Sequence, residues 1–221
     1  MTTQNPKPYK LTNPYLIKAI FGYGNPENGV LKDCNGYVSA NDTYNLGRVF
    51  LEFCYSKIFN IHRLPGYKTD WMIRQYDYYH MENLENASPD LIESACVELE
   101  DMYTYIQKFF KSNNITNLKL KRMAQPFEIG EYLNQVNNKE TYIMYPTNIL
   151  SSYSYELSKG GYYSDYMLCR KVPVNNIVMI DFLLEDPQSS IKYLHGESEM
   201  WVIENDMKGV IRLDKTCIKH I

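Results

Sequence analysis

In the first half of the chain, apolar residues recur every three or four positions, which is the spacing of an α-helix with one buried face. One helix is predicted after Asn41-Asp42-Thr43, because such side chains cap the first free N–H groups of a helix. A longer helix is predicted to begin at Ser88-Pro89-Asp90 and to end near residues 111–114. The apolar faces are Leu46, Val49, Phe50, Phe53 and Cys54 in the first helix, and Ile92, Ala95, Cys96, Leu99, Met102, Ile106 and either Phe109 or Phe110 in the second. Residues 1–115 are therefore predicted to form a helical N-terminal part.

After residue 115 the apolar segments become short and are separated by proline, glycine and asparagine, which is typical of strands joined by turns. Strands are predicted at residues 118–122, 141–145, 166–172, 177–180, 199–203 and 210–213. Residues 116–221 are thus expected to form a mainly antiparallel, β-rich core that joins the helical part in one compact unit. The fold class that follows is α+β.

Composition narrows the classes of function. The chain has 221 residues, of which 44% are apolar, so it is long enough to bury a sizeable core. Its net charge of -3 gives no general attraction to nucleic acid or to an anionic membrane. No apolar run approaches the roughly 18 residues that cross a bilayer, and the glycine motifs of Rossmann and P-loop sites do not occur. We therefore expect neither a nucleic-acid partner nor a membrane partner.

The cysteines and the N-terminus indicate the compartment. There are five cysteines, an odd number, and no CxxC pair, which favours a reducing cytosol without a disulfide framework or a structural zinc site. The first residues lack the basic and apolar regions of a cleaved secretory signal. The protein is expected to be made in a cytosol and to need no metal.

Arg122 ends the segment Leu118-Lys119-Leu120-Lys121-Arg122. Strand alternation predicts that Arg122 shares a face with the two leucines, while the lysines face the other way. An arginine beside a core face needs an anionic partner. A salt bridge at a strand end would meet that need, and so would a diphosphate, which suits the planar guanidinium group.

Two further polar clusters follow in the β-rich half. Ser151-Ser152-Tyr153-Ser154 comes after Asn148-Ile149-Leu150; by themselves such serines are typical of a turn, although their hydroxyls also orient carboxylates and bind ribose. Glu197-Ser198-Glu199 leads into an apolar strand, and in an extended segment the two glutamates point to the same side. The pair fits a solvated acidic turn, but paired carboxylates are also what cleavage of a glycosidic bond requires.

The order of these three elements resembles the Arg-Ser-Glu class of mono-ADP-ribosyltransferases, and most closely the dinitrogenase reductase ADP-ribosyltransferase-like enzymes. The resemblance begins before Arg122 and runs nearly to the C-terminus; it includes Pro126-Phe127-Glu128, Thr147-Asn148-Ile149-Leu150, Val172-Pro173 and Leu194-His195-Gly196-Glu197. It covers the first hundred residues only faintly. Two departures stand out: Met123 replaces the usual glycine after the arginine, and Tyr153 replaces the threonine of Ser-Thr-Ser. An alignment on the last serine makes Ser152 the leading serine, whereas a shift of one residue makes it Ser151; we prefer Ser152.

The resemblance implies the ADP-ribosyltransferase fold, with two crossed, mainly antiparallel sheets around a cleft for NAD, which is a substrate. Arg122 would hold the diphosphate of NAD, Ser152 would hold Glu199 and the nicotinamide-side ribose in place, and Ser154 would also bind NAD. Glu199 would stabilise the cationic sugar as nicotinamide leaves, Glu197 would orient an acceptor arginine, and Tyr193 would stack on that arginine. A packed tyrosine in a surface loop is the alternative for Tyr193.

The resemblance also implies a partner and a place. The partner is a protein that carries the acceptor arginine, and one branch of such enzymes is aimed at a host NAD-dependent glutamate dehydrogenase. The implied place of synthesis is a bacterial cytoplasm, and injection into a host cytosol is the implied route to that target; residues 1–115 would then offer a docking surface. Two alternatives stay open: an NAD glycohydrolase, which transfers to water, and a non-enzymatic interaction domain of the same fold.

Overall fold

A computed structural model of the protein describes residues 6–26, 29–32, 34–37, 46–62, 71–124, 141–146, 148–155, 166–188, 198–204 and 208–215. Four helices precede seven strands within these ranges. The helices are α1 Pro14–Phe21, α2 Leu46–Ile58, α3 Trp71–Ala87 and α4 Pro89–Ser112. The strands are β1 Asn117–Ala124, β2 Thr141–Pro146, β3 Leu150–Ser154, β4 Tyr166–Pro173, β5 Ile177–Ile180, β6 Glu199–Ile203 and β7 Lys208–Lys215. The predicted α+β class is confirmed.

The predicted elements agree well with the observed ones. All six predicted strands are present, and their observed ends differ from the predicted ones by at most two residues. Helix α4 buries the predicted face: Ile92, Ala95, Leu99, Met102, Ile106 and Phe110. Helix α2 buries Val49, Phe50, Phe53 and Cys54, while its predicted cap at residues 41–43 lies outside the described residues.

Two helices and one strand were not predicted. Helix α1 begins after Asn13, whose side chain accepts hydrogen bonds from the backbone N–H groups of Tyr15 and Leu16. Helix α3 has alternating short apolar and polar groups, without the clear apolar face of α4. Strand β3 contains the serine cluster, so the interpretation of these serines as a turn is wrong.

The seven strands form one hydrogen-bonded sheet in the order β2-β7-β4-β1-β3-β6-β5. Strand β1 pairs with β4 along eight residues, from Asn117 to Ala124, whereas within the described residues its pairing with β3 is the single pair Lys121 and Ser154. The sheet therefore consists of a four-strand block (β2, β7, β4, β1) and a three-strand block (β3, β6, β5), joined at a single residue pair.

The helices cover the three-strand block. Helix α4 packs against β5, and α2 packs against β3. The amide of Gln107 on α4 donates hydrogen bonds to the carbonyl groups of Val174 and Ile177, at 2.9 and 3.0 Å, which fixes the beginning of β5. One apolar core contains buried residues of both parts of the chain, such as Phe53 and Trp201. Within the described ranges, no helix has the length and apolar character needed to cross a membrane.

Candidate functional site

Ser152 and Glu199 meet on adjacent strands. In the β3–β6 ladder Ser152 pairs with Trp201, and Ser154 pairs with Glu199. Paired residues share a face of the sheet, so Ser152, Ser154 and Glu199 lie on one face, with Ser152 diagonal to Glu199. The Ser152 hydroxyl donates a short hydrogen bond to Oε1 of Glu199, and both side chains are half-buried. A hydroxyl–carboxylate bond of this kind is among the stronger hydrogen bonds, and it holds the carboxylate in one orientation.

Ser151 and Tyr153 lie on the opposite face of β3. Ser151 is buried and pairs with Val202, while Tyr153 is buried and pairs with Met200. The geometry therefore favours Ser152, and not Ser151, as the serine that contacts Glu199.

Arg122 and its neighbour Lys121 bring positive charge to the join between the two blocks. Lys121 pairs with Ser154, so Lys121, Ser154 and Glu199 form a row across three strands. Arg122 pairs with Leu168 of β4 and is half-buried, whereas Lys121 is exposed. The predicted alternation along β1 is thus observed, and it assigns to Lys121 the face that carries Ser154. Lys121 was not predicted as a residue of the site, because the sequence of one strand does not show which residues of other strands it pairs with.

Tyr37 is a further residue of this site that sequence reasoning missed. Its ring makes an edge-to-face contact with Trp201 at 4.6 Å between centroids. Burial raises the pKa of Tyr37 first, the charge of Glu199 raises it further, and the charges of Arg48 and Arg122 oppose the rise. Arg122 and Glu199 therefore both influence the Tyr37 hydroxyl group: the positive charge lowers its pKa, and the negative charge raises it. Tyr37 belongs to the N-terminal part of the chain, where no sequence pattern identified it as a residue of the site.

A buried carboxylate, that of Glu52, holds the beginning of β3, the strand that carries the serine cluster. Glu52 of α2 is fully buried, and its Oε1 accepts a hydrogen bond from the backbone N–H of Leu150 at 3.2 Å. The Arg48 Nε atom lies 4.0 Å from the same oxygen. Since a buried carboxylate is costly unless it is paired, these contacts tie α2 to the first residue of β3.

A second buried ion pair ties the two blocks together. Arg170 of β4 forms a two-bond contact with the carboxylate of Glu204, just after β6, and lies within 3.4 Å of the Tyr153 hydroxyl. Burial lowers the pKa of Arg170, but Tyr153 and Glu204 outweigh this effect, and the net pKa is raised. The pair thus bridges the sheet where β1 and β3 share only one residue pair.

Ser198, between the two predicted glutamates, has an unexpected backbone conformation. It is buried and its φ of +55° lies in the left-handed region, which residues other than glycine rarely adopt. The period of an extended strand therefore does not relate Glu197 to Glu199, as the sequence argument had assumed. Glu197 and Tyr193 themselves lie outside the described residues.

Comparison of the chain with protein-family models, with curated proteins and with solved structures gave no match. Among the residues that the structure describes, no three or more His, Cys, Asp or Glu side chains form a group that could hold a metal ion.

Proposed function

We propose that the protein is an NAD-dependent mono-ADP-ribosyltransferase that modifies an arginine of another protein. The observation that carries this proposal is the hydrogen bond from Ser152 to Glu199. A serine that orients a carboxylate is the pairing that the Arg-Ser-Glu resemblance requires, and the two residues are 47 positions apart in the chain.

The arrangement of the sheet supports the corresponding fold. A four-strand and a three-strand block that share one residue pair suit the two crossed sheets of the ADP-ribosyltransferase fold. In that fold the join lies at the NAD cleft, and here the same join carries Lys121, Ser154 and Glu199.

Each residue has a role in the proposed reaction. NAD supplies the ADP-ribosyl group and nicotinamide as the leaving group. Arg122 binds the diphosphate through charge-assisted hydrogen bonds from the face of β1 opposite to the one that Lys121 shares with Ser154, and Ser154 contributes to the ribose side. Glu199, oriented by Ser152, binds a ribose hydroxyl and stabilises positive charge that develops on the sugar.

Glu197 is the residue from which we infer that the acceptor is an arginine. A guanidinium group has a pKa above about 12 and is a poor nucleophile while protonated. A second carboxylate next to Glu199 positions this group and takes its proton, which is general-base catalysis. Because the resemblance implies such a target, an arginine on a metabolic enzyme, such as an NAD-dependent glutamate dehydrogenase, is the substrate to test first.

The experiment uses biotin-labelled NAD with a eukaryotic cell lysate and, separately, with purified NAD-dependent glutamate dehydrogenase. Wild type is compared with Glu199→Gln and Glu197→Gln, and with Glu100→Gln as a control, because Glu100 is exposed on α4. We expect a labelled protein band with wild type and the control, and no band with the other two. Of the two variants without a band, only Glu197→Gln is expected to keep releasing nicotinamide, since Glu199 acts on bond cleavage and Glu197 on the acceptor.

The other outcomes separate the alternatives. A band that survives Glu199→Gln overturns the proposed mechanism. Nicotinamide release by wild type without any band indicates an NAD glycohydrolase. Absence of both, together with no NAD binding in calorimetry, indicates an interaction domain. Mass spectrometry that finds the label on cysteine or asparagine overturns the arginine acceptor.

A further inference from the structure

A buried carboxylate, Asp181, lies where the strand with the predicted catalytic glutamate begins. It follows β5 directly and is only 3% exposed. Its Oδ1 atom accepts hydrogen bonds from the Tyr155 hydroxyl at 3.0 Å and from the backbone N–H of Phe182 at 2.7 Å. The backbone N–H groups of Ser198 and Glu199 also lie within hydrogen-bonding reach of this carboxylate and lower its pKa.

Contacts from Asp181 and Tyr155 meet at Ser198, whose backbone conformation is left-handed. The carbonyl oxygen of Ser198 accepts a hydrogen bond from the backbone N–H of Tyr155 at 3.0 Å. Ser198 is thus bound through its N–H by Asp181 and through its C=O by Tyr155. A left-handed φ costs an L-residue free energy and persists where the surroundings over-determine it. Here the surroundings are one carboxylate and one tyrosine.

The burial of Asp181 is otherwise unexplained. Burial raises the pKa of this carboxyl group, and the hydrogen bonds from Tyr155, Phe182, Glu199 and Ser198 oppose the rise. Among the residues that the structure describes, no lysine or arginine shifts this pKa. Apart from the Tyr155 hydroxyl, its partners among the described residues are backbone N–H groups, and two of these belong to the Glu-x-Glu segment.

We propose that Asp181 is a positioning residue: its carboxylate fixes the left-handed turn at Ser198 and thereby sets the direction in which Glu199 enters the site. The catalytic part of this inference rests on the proposed function, whereas its effect on the backbone does not. Asp181 acts through Glu199 and has no contact with the reacting groups.

The test is Asp181→Asn, which keeps the shape of the side chain but replaces one acceptor oxygen with a donor. Its matched control is Asp186→Asn: Asp186 is also 3% exposed and also binds backbone, accepting from the N–H of Gln188 at 2.9 Å. Two properties are measured on the full chain. The first is amide hydrogen exchange at Ser198 and Glu199, and the second is the kcat and KM of nicotinamide release from NAD.

We expect exchange at both amides to become at least about tenfold faster in Asp181→Asn and to stay unchanged in Asp186→Asn. We also expect kcat to fall at least about tenfold while KM for NAD changes by less than about threefold. The reason is that a misdirected Glu199 stabilises the transition state less, whereas the binding of NAD in the ground state changes little. A merely structural loss would instead change the amount of folded enzyme and would spread to exchange at distant amides.

Each further outcome has one meaning. Unchanged exchange at Ser198 and Glu199 overturns the positioning role, whatever the activity. Faster exchange with an unaltered kcat overturns its catalytic consequence. Faster exchange in a protein whose wild type never cleaves NAD overturns the proposed function and supports the role of Asp181 in the turn. If Asp181→Asn does not fold, the wild type decides the matter: amides bound by a buried carboxylate are protected, so exchange at Ser198 and Glu199 as fast as at exposed amides overturns the proposal.

Discussion

At the scale of single residues, the hydrogen bond between Ser152 and Glu199 gives the sharpest prediction. Ser152→Ala removes a bond to a charged group, worth ~1.5–3 kcal/mol. If that bond acts in the transition state, nicotinamide release falls roughly ten- to hundredfold. Steady-state kinetics with NAD measures the loss, and thermal unfolding checks that the variant is folded.

Ser151→Ala is the matched control for Ser152→Ala. Ser151 is the preceding residue of β3, is buried, and lies on the opposite face of the strand. We expect this variant to change stability more than activity. A larger loss of activity in Ser151→Ala than in Ser152→Ala would contradict the assignment and would restore the alternative register of the serine motif.

Tyr37 allows a prediction about pH. Burial and the charge of Glu199 raise its pKa above the usual range for tyrosine, so the hydroxyl stays protonated at neutral pH. Because the folded-state pKa is raised, the stability linked to the neutral form is present below about pH 10 and is lost as pH rises through the folded-state pKa. We expect Tyr37→Phe to slow nicotinamide release several-fold, by the same factor from about pH 6 to about pH 9.

Parallel pH–rate profiles of wild type and Tyr37→Phe check this expectation. Tyr79→Phe is the control, since Tyr79 lies on α3 with half of its surface exposed, and its profile is expected to match wild type. A rate ratio that drifts with pH would mean that the Tyr37 hydroxyl ionises in this range.

At the scale of elements, two glycines hold the segment that carries Tyr37. Gly36 has φ +85°, and a Cβ atom there would lie 2.4 Å from the backbone nitrogen of Gly22. Gly22 itself caps the C-terminus of α1 with φ +78°. The segment of residues 34–37 can approach the end of α1 this closely because neither glycine has a side chain.

We therefore expect Gly36→Ala to be destabilising and to displace Tyr37. Gly24→Ala is the control: Gly24 has a similar φ of +73° but nothing within 4 Å of the added Cβ atom. The clash with backbone adds ~1–3 kcal/mol to the cost of the left-handed φ, or about 2–12 °C in Tm beyond the control. Thermal unfolding measures the difference, and equal Tm values for the two variants would refute the close approach.

The elements also show which features one sequence reveals. The apolar face of α4 and the strands after residue 115 were predicted because their periodicity is local and strong. Strand β3 was missed because serine is typical of turns; its N-terminal residue is fixed by Glu52, which is 98 positions away from Leu150. The same limit applies to Tyr37 and Asp181, whose partners come from distant segments.

The order of the motifs along the chain predicted more of the site than the expected alternation of side chains along the strands did. Arg122, Ser152 and Glu199 were identified from their order along the chain, and Ser152 does contact Glu199. Strand alternation does not extend through Ser198, whose left-handed φ of +55° has no counterpart in the local sequence pattern. The cross-strand position of Lys121 depends on register, which long-range pairing determines.

At the scale of the whole molecule, the helical part and the β-rich part stabilise each other through contacts that neither can form alone. Tyr9 pairs with Leu184, donating its N–H to Leu183 at 2.7 Å and accepting from Glu185 at 2.8 Å. Helix α4 covers β5, all four of whose residues are buried. The candidate site itself combines Tyr37 of the first part with Trp201 and Glu199 of the second.

We therefore predict that residues 116–221 alone do not fold. Without α2 and α4, the buried faces of β3 and β5 would become an exposed apolar patch of the kind that soluble monomers rarely tolerate. The fragment is expected to bind a hydrophobic dye and to melt without a cooperative transition, whereas the full chain melts cooperatively. Adding residues 1–115 as a separate chain is the control for a fragment that is damaged in preparation. A cooperative melt of residues 116–221 by themselves would show that the helical part is an accessory to a self-sufficient core, and Tyr37 would then be dispensable for the shape of the site.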